Sequence, residues 1–348
     1  MCKIPIKNLS EEELFAFFAQ INEKKYRVKQ LNDALYKKKI NSFAEISNFP
    51  AQLIGVLEEK FSVSSLKIEK ILESTDGSKK NLYKTLDNEY IESVFLPNLA
   101  NSNKDEKNTL CISTMIGCPV NCDFCATAKM GFRRNLDVSE IIDQIFLTFS
   151  CTEKNINNVV FMGMGEPLLN YNNVMNALKI ILKNEIISKK NITVSTIGIP
   201  EKIIDFANEE MKIKLAVSLH SPFDDTRKTL IPISKNHQIE DLLKSLDYYY
   251  QVTRVPITFE YILFRNLNDS DADVKKLARI SRRFSSKINL IPFNDISFIA
   301  DNIDLLPASE KEIAIFAKKL YNEDVMVFTR KSQGSDIAAA CGQLASQA

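Results

Sequence analysis

Residues 109–125 read TLCISTMIGCPVNCDFC. The first seven, 109–115, have the β-branched and apolar make-up of a strand. The chain then enters a loop carrying Cys118, Cys122 and Cys125, spaced Cys-x3-Cys-x2-Cys, and a helical pattern follows. Downstream the same alternation repeats. Strands are expected at 158–163, 192–198, 213–219, 257–263 and 287–293, and a last one at 325–330. Helices are expected at about 138–150, 172–186, 200–209, 238–251, 271–284 and 309–322, the last opened by the capping pair Ser309 and Glu312. Strands alternating with helices imply parallel βαβ units wound one way. They form either an open barrel or a doubly wound sheet, and in both the chemistry sits at the carboxyl ends of the strands.

Upstream, residues 1–65 read as helical. Ser10 and Glu13 form a capping box ahead of Leu14, Phe17, Phe18 and Ile21, which share one helical face. Between Lys24 and Lys39 lie Lys24, Lys25, Arg27, Lys29, Lys37, Lys38 and Lys39, against the single acid Asp33. Taken alone this is a solvated face; it is a candidate phosphate-contact surface if the rest of the chain points to a nucleic-acid partner. Residues 66–97 read as three short strands, with turns at Asp76-Gly77 and Asp87-Asn88. Glu92 lies in the third, where a lone acid is ordinarily the solvent-facing member of an alternating pattern. Residues 98–108 read as a polar linker or surface loop. The divisions expected are 1–65, 66–108, 109–300 and 301–348, the last holding a helix, a strand and a cysteine-bearing tail.

Composition sets the outer bounds. The chain has 348 residues, 45% hydrophobic and 26% charged, which excludes a disordered or collagenous protein. Net charge is +1, so no partner follows from global charge. No apolar run approaches the ~18 residues of a membrane span, and the first residues lack a signal-peptide core, so a cytoplasmic, soluble protein is expected. Seven cysteines, an odd number, argue against a disulfide framework.

Three cysteines within eight residues point to metal. A zinc site normally completes four ligands from paired knuckles or histidines, and this chain has only His220 and His237. Three thiolates on one loop suit three corners of a four-iron, four-sulfur cube and leave the fourth iron open. That is the arrangement needed to chelate S-adenosylmethionine and cleave it reductively. The bland alternative is a zinc knuckle completed by Cys111 or by a second chain.

The chain resembles the RlmN/Cfr family of radical S-adenosylmethionine RNA methyltransferases over essentially its whole length, and is closer to the RlmN branch. The residues carrying the resemblance are CISTMIGCPVNCDFCATAKMGFRRNL (111–136), FMGMGEPLLN (161–170), VSTIGIP (194–200), SLHSP (218–222), TFEYILF (258–264), LIPFN (290–294) and DIAAACGQL (336–344). The resemblance implies an α/β fold: a partial (β/α)6 radical-SAM barrel with a small N-terminal helical domain and a short antiparallel β extension. It implies one [4Fe-4S] cluster held by Cys118, Cys122 and Cys125, and S-adenosylmethionine used twice per turnover. Gly165 and Glu166 would contact the methionine amine, Ser195, Ser218, Leu219 and His220 the carboxylate and ribose, and Asn294 the adenine. Met162 and Met164 are expected to pack rather than to ligate. Cys341 would be the methyl carrier, Cys111 the resolving thiol and Glu92 the proton acceptor. Cys2 and Cys151 match no functional position of the family.

The activity implied is methylation of carbon-2 of an adenosine in 23S ribosomal RNA and in the anticodon loop of certain transfer RNAs. Carbon-2 of adenine is electron-poor, so a carbon radical must add where a methyl cation cannot. Cys341 would carry the methyl group, a radical would abstract a hydrogen from it, and Cys111 would release the product by forming a disulfide. An external, flavodoxin-type electron donor is then needed, and a monomer is expected. Lys129, Arg133 and Arg134 would add phosphate contacts. Alternatives are carbon-8 methylation within the same family, a radical enzyme acting on protein or metabolite, and a non-enzymatic iron–sulfur RNA-binding protein.

Overall fold

In the computed structural model, residues 3–99, 107–299 and 304–346 are described. Cys2 and most of the expected linker (100–106) lie outside them. The N-terminal unit contains β1 (Ile4–Pro5), α1 (Glu11–Gln20), α2 (Tyr26–Asn32), α3 (Ala51–Lys60) and β2 (Phe61–Ser62). The expected capping box forms: the Ser10 hydroxyl accepts from Glu13 N, and Glu13 accepts from Ser10 N. After α2 the chain widens into a π-helical segment, Asp33–Lys38, that ends at left-handed Lys39.

β3 (Leu66–Glu73), β4 (Lys79–Thr85) and β5 (Tyr90–Leu96) form an antiparallel meander, as the two turn signals predict. The meander continues the main sheet, because β5 pairs antiparallel with β6 (Thr109–Cys111), placing Val94 opposite Cys111. β7 (Met115–Gly117), α4 (Ala126–Lys129) and β8 (Phe132–Asn135) surround the cysteine loop. The alternating region follows: α5 (Val138–Cys151), β9 (Asn158–Phe161), α6 (Tyr171–Lys183), β10 (Ile192–Thr196), α7 (Pro200–Asn208), β11 (Lys214–Ser218), α8 (Asp224–Leu230), α9 (Ile239–Thr253), β12 (Ile257–Leu263), α10 (Asp271–Ser281), β13 (Ser286–Pro292), α11 (Glu310–Asn322) and β14 (Val327–Thr329).

The ten-stranded sheet runs β14-β13-β12-β11-β10-β9-β6-β5-β4-β3. From β6 to β14 every pairing is parallel and the strands neighbour one another in chain order. A doubly wound sheet would reverse direction at a switch point, and none occurs here. The sequential order decides for the open barrel, with β14 added as a further parallel strand. Its apolar side chains are buried to 0% exposure at Val159, Val194, Leu215, Phe259 and Ile288, giving one continuous core.

The expected strand 109–115 is instead two strands. At Ser113 the chain leaves the sheet because Gln144 replaces a neighbouring strand. Ser113 N donates to Gln144 Oε1 (2.8 Å), and Gln144 Nε2 donates back to Ser113 O (3.0 Å). β7 then pairs antiparallel with β8, bracketing the cysteines.

Candidate functional site

Two cavities open at the carboxyl ends of the barrel strands. The smaller, about 150 Å³, is lined by Cys118, Cys122, Cys125, Gly165, Glu166, Ser195, Ser218 and His220, together with Glu260, Arg330 and Cys341. The larger, about 470 Å³, is lined by Cys111, Cys125, Asn294, Arg330 and Cys341 among others. Cys341, Arg330, Met162 and Gly163 border both.

The hairpin β7–β8 fixes the cysteine loop. Cys118 N donates to Gly131 O (3.1 Å). Gly117 has φ +71°, and a Cβ there would lie 1.6 Å from Gly131 O, so no side chain fits. Burial pushes the Cys118 thiol up to about 12, with Cys125 and Glu166 adding to the rise. Cys122 is likewise raised by burial and then by Cys125 and Cys118, while Arg227 opposes the shift. Burial also raises Cys125, against its contacts with Ala128 and Thr127.

Among the described residues, no three His, Cys, Asp or Glu side chains converge tightly enough for a single metal ion. The three thiols instead rim a cavity and feel one another's charge, a donor set that fits a group larger than one ion. Such thiols release protons when a cationic centre binds.

Glu166 follows the second of the two glycines in Gly163-Met164-Gly165, in the turn after β9. Its Oε1 accepts from Leu168 N (3.0 Å) and its Oε2 from Ile197 N (2.8 Å). Burial raises it to about 7, against the amides of Ile197 and Leu168 and the Thr196 hydroxyl. Each oxygen keeps a further lone pair for an ammonium donor. His220 is 3% exposed with φ +52°, and its Nδ1 accepts from Ile262 N (3.0 Å). Burial, then Arg227, lower it to about 3, so the ring is neutral with its proton on Nε2. Phe124, between two of the cysteines, packs edge-on against it at 4.7 Å.

Not every expected site residue enters the smaller cavity. Leu219 is fully buried, and its amide donates to Glu260 O (3.1 Å). Asn294 opens on the larger cavity: Nδ2 donates to Cys341 O (3.0 Å), and Oδ1 accepts from Ser332 Oγ (2.7 Å). Glu92 borders neither cavity. It is 1% exposed and therefore not the solvent-facing strand residue that alternation suggests; Lys80 Nζ lies 3.3 Å from Oε1, and Oε2 accepts from Ala345 N (3.0 Å). Cys111 and Cys341 are both free thiols; the disulfide implied by the resemblance is one made at product release. Burial lifts Cys111 to about 12, helped by the neighbouring Cys341 and opposed by Arg330. Met164 is buried as expected, but Met162 lines both cavities.

Sequence reading passed over two residues that line the site, Glu260 and Arg330, and a third, Arg227, whose charge acts on Cys122 and His220. Glu260 is 4% exposed; Oε1 accepts from Asn289 Nδ2 (3.0 Å), and Oε2 has no hydrogen-bond partner. Arg330 lies 3.9 Å from that Oε2. Arg227, 2% exposed, donates to Ile197 O, and its Nε has no partner. Glu260 stands inside the block TFEYILF, so an acid in an otherwise apolar buried strand was the available signal.

An open parallel barrel with three loop cysteines, an acidic glycine-rich turn and a tail cysteine at its mouth defines a radical S-adenosylmethionine methyltransferase. The model of the radical SAM superfamily matches residues 112–278, and that of the ribosomal RNA large subunit methyltransferase N-terminal domain matches residues 4–63. A radical SAM methyltransferase from Sphaerobacter thermophilus superposes with a TM-score of 0.90 at 32% identity, covering 99% of this chain and 100% of that one. The chain is 38% identical to a protein of Flavobacterium johnsoniae over 99% of its own length and 98% of the relative's. It is 39% identical to one of Thermotoga maritima over 97% and 96%. Both relatives bear the name probable dual-specificity RNA methyltransferase RlmN. The chain belongs to the RlmN family. Its cofactors are accordingly a [4Fe-4S] cluster and S-adenosylmethionine. No helix among the described residues is long and apolar enough to cross a membrane.

Proposed function

We propose that this enzyme methylates carbon-2 of adenosine in 23S ribosomal RNA and in transfer RNA, with Cys341 as the methyl carrier. The observation that carries the reading is the position of Cys341 on the wall shared by the two cavities. One side faces the cysteines and Glu166, and the other faces a space of about 470 Å³, open enough for a base turned out of its stack. The carbon-8 alternative is not favoured, since the full-length relatives bear the RlmN name.

When bound at Cys118, Cys122 and Cys125, the cluster supplies the electron that turns S-adenosylmethionine into a hydrogen-abstracting radical. The chain does the rest. Glu166 holds the cofactor's ammonium group, with Ser195, Ser218 and His220 around its carboxylate and ribose. Cys341 Sγ takes a methyl group by polar displacement; once a hydrogen atom has been abstracted from that methyl group, its carbon bonds to carbon-2, and the adduct gives one electron back. The proton lost from carbon-2 needs an acceptor in the larger cavity. Glu92 carries that role by resemblance, yet it holds the tail from outside, whereas Cys111 lines the cavity. Cys111 then attacks Cys341 Sγ; the bond from Sγ to the bridging carbon breaks, that carbon takes up a proton to become the methyl group of the base, and a disulfide remains between the two cysteines. An external donor, for which a flavodoxin-type protein suffices, restores the thiols and supplies the cluster. The enzyme acts as a cytoplasmic monomer.

The test is an anaerobic reaction of reconstituted protein, S-adenosylmethionine, reductant and unmodified 23S fragment, read by nucleoside mass spectrometry. 2-Methyladenosine is expected with the wild type and none with Cys341→Ala. Cleavage of S-adenosylmethionine without 2-methyladenosine overturns the assignment.

A further inference from the structure

The carrier cysteine sits on a loop, and loops are mobile unless something holds them. The tail from Gly334 to Ser346 is held by two surfaces. On the cysteine-loop side, Ala126 N donates to Gly342 O (2.7 Å) and Thr127 Oγ1 to Leu344 O (2.6 Å). On the other side lies the antiparallel meander, of which Val94 and Leu96 on β5 line the larger cavity. Asp336 accepts from Ser74 Oγ (2.6 Å) and Thr75 N (3.1 Å), and Gly334 N donates to Asp76 Oδ2 (2.9 Å). Ser346 Oγ donates to Tyr90 O (3.0 Å).

Between these contacts stands a buried ion pair. Lys80 on β4 and Glu92 on β5 are 8% and 1% exposed and 3.3 Å apart. Each spends a second contact on the tail backbone. Lys80 Nζ donates to Ala338 O (3.2 Å), and Glu92 Oε2 accepts from Ala345 N (3.0 Å). The two anchor points bracket Cys341. A buried ion pair is weak evidence for stability, since burial costs both ions most of what their attraction returns. What such a pair does supply is geometry: two charge-assisted hydrogen bonds, fixed relative to each other, that set the register of the segment between them.

We propose that Lys80 and Glu92 form a latch that holds the Cys341 loop at the wall between the two cavities, and that the meander is the tail's docking surface. Both are positioning residues, acting through Cys341. The inference rests on Cys341 being the methyl carrier. It also gives Glu92 work that does not require contact with the base.

The test uses the full-length protein. Hydrogen–deuterium exchange is followed in peptides covering 338–346, with a peptide covering 257–263 as the fold control. Lys80→Met is expected to speed exchange of the tail about tenfold or more, as the loss of one charge-assisted bond implies, and to leave the barrel peptide protected. Lys80→Arg is expected to restore protection. Glu92→Gln, which keeps an acceptor for Ala345 N but removes the charge, is expected to loosen the tail less, and it serves as the second variant if Lys80→Met exposes the barrel peptide. In reconstituted Lys80→Met, methyl occupancy of Cys341, read by peptide mass spectrometry, should fall while S-adenosylmethionine cleavage persists. Unchanged tail exchange in folded Lys80→Met and Glu92→Gln overturns the latch. A loosened tail in a protein whose wild type never carries a methyl group on Cys341 leaves the latch standing and sinks the carrier reading.

Discussion

His220 shows what a single residue contributes and what its letter conceals. Its place in SLHSP marks it as a site residue, but its charge state comes from the fold. Burial and Arg227 lower it to about 3 from an ordinary 6.5, and Ile262 N takes up Nδ1. Between those two values the unfolded chain binds a proton that the folded chain refuses. Stability is therefore complete above about pH 6.5 and falls as pH drops toward 3, by up to about 1.4 kcal/mol per unit from this group. At pH 5 the loss is about 2 kcal/mol. Urea unfolding of apoprotein at pH 7.5 and pH 5 should show this component in the wild type and lose it in His220→Asn; equal acid sensitivity in both would show that the ring is not held neutral. The cysteine triad was legible because all three ligands share one short loop. Glu260, Arg330 and Arg227 were not, because their meaning arises only in the fold: the first two meet at one cavity from β12 and from just beyond β14, and Arg227 on α8 acts on Cys122 and His220 without lining it.

At the scale of elements, a buried contact ties the N-terminal unit to the barrel. Lys7 Nζ pairs with Asp143 on α5 and donates to Val63 O (2.8 Å); Asp143 Oδ2 also accepts from Ser65 N (2.6 Å) and Ser65 Oγ (2.8 Å). Both side chains are nearly inaccessible, at 4% and 1% exposure. Removing one partner leaves the other buried and unpaired. Lys7→Met should cost about 3–5 kcal/mol in equilibrium unfolding, and adding Asp143→Asn should recover part of it because no charge then remains buried. An additive double variant would mean that the two do not interact. The elements themselves were largely readable. The strand expected at 257–263 and the helix expected at 200–209 are found at Ile257–Leu263 and Pro200–Asn208. Periodicity reports local patterning, and these segments obey it. It missed the β7–β8 hairpin because the break at Ser113 is made by Gln144, a residue 31 positions away in the chain. Separation in sequence also hides why Glu92 is buried, since Ala345, which donates to it, is 253 positions away.

Over the whole molecule, a net charge of +1 leaves RNA binding to local charge. The three basic residues that follow the cysteine loop in the sequence are already paired with acids. Lys129 pairs with Asp123 (2.9 Å), Arg133 with Glu89 (2.6 Å), and Arg134 with Asp87 (2.7 Å) and Glu140 (2.8 Å). In the stretch 24–39, Arg27 and Lys37 pair with Glu23 and Asp33, and Lys39 lies over the Phe149 ring. Lys24, Lys25, Lys29 and Lys38 are exposed and form no ion pair among the described residues. A phosphate meeting these four displaces only water and counterions, whereas one meeting Arg134 must first compete with two carboxylates. The N-terminal helices should therefore supply the electrostatic part of RNA affinity. Each phosphate contact contributes about 0.7 to the slope of log affinity against log salt for single strands, so replacing the four lysines by glutamine should flatten that slope by about 3. Fluorescence anisotropy with a transfer RNA between 50 and 200 mM salt, on the order of the range where such slopes are read, measures it directly. Arg133→Gln, with its charge already spent on Glu89, should change the slope by less than one lysine does. An unaltered slope in the quadruple variant would place the RNA on another face, and a large change in Arg133→Gln would place it across the cysteine loop.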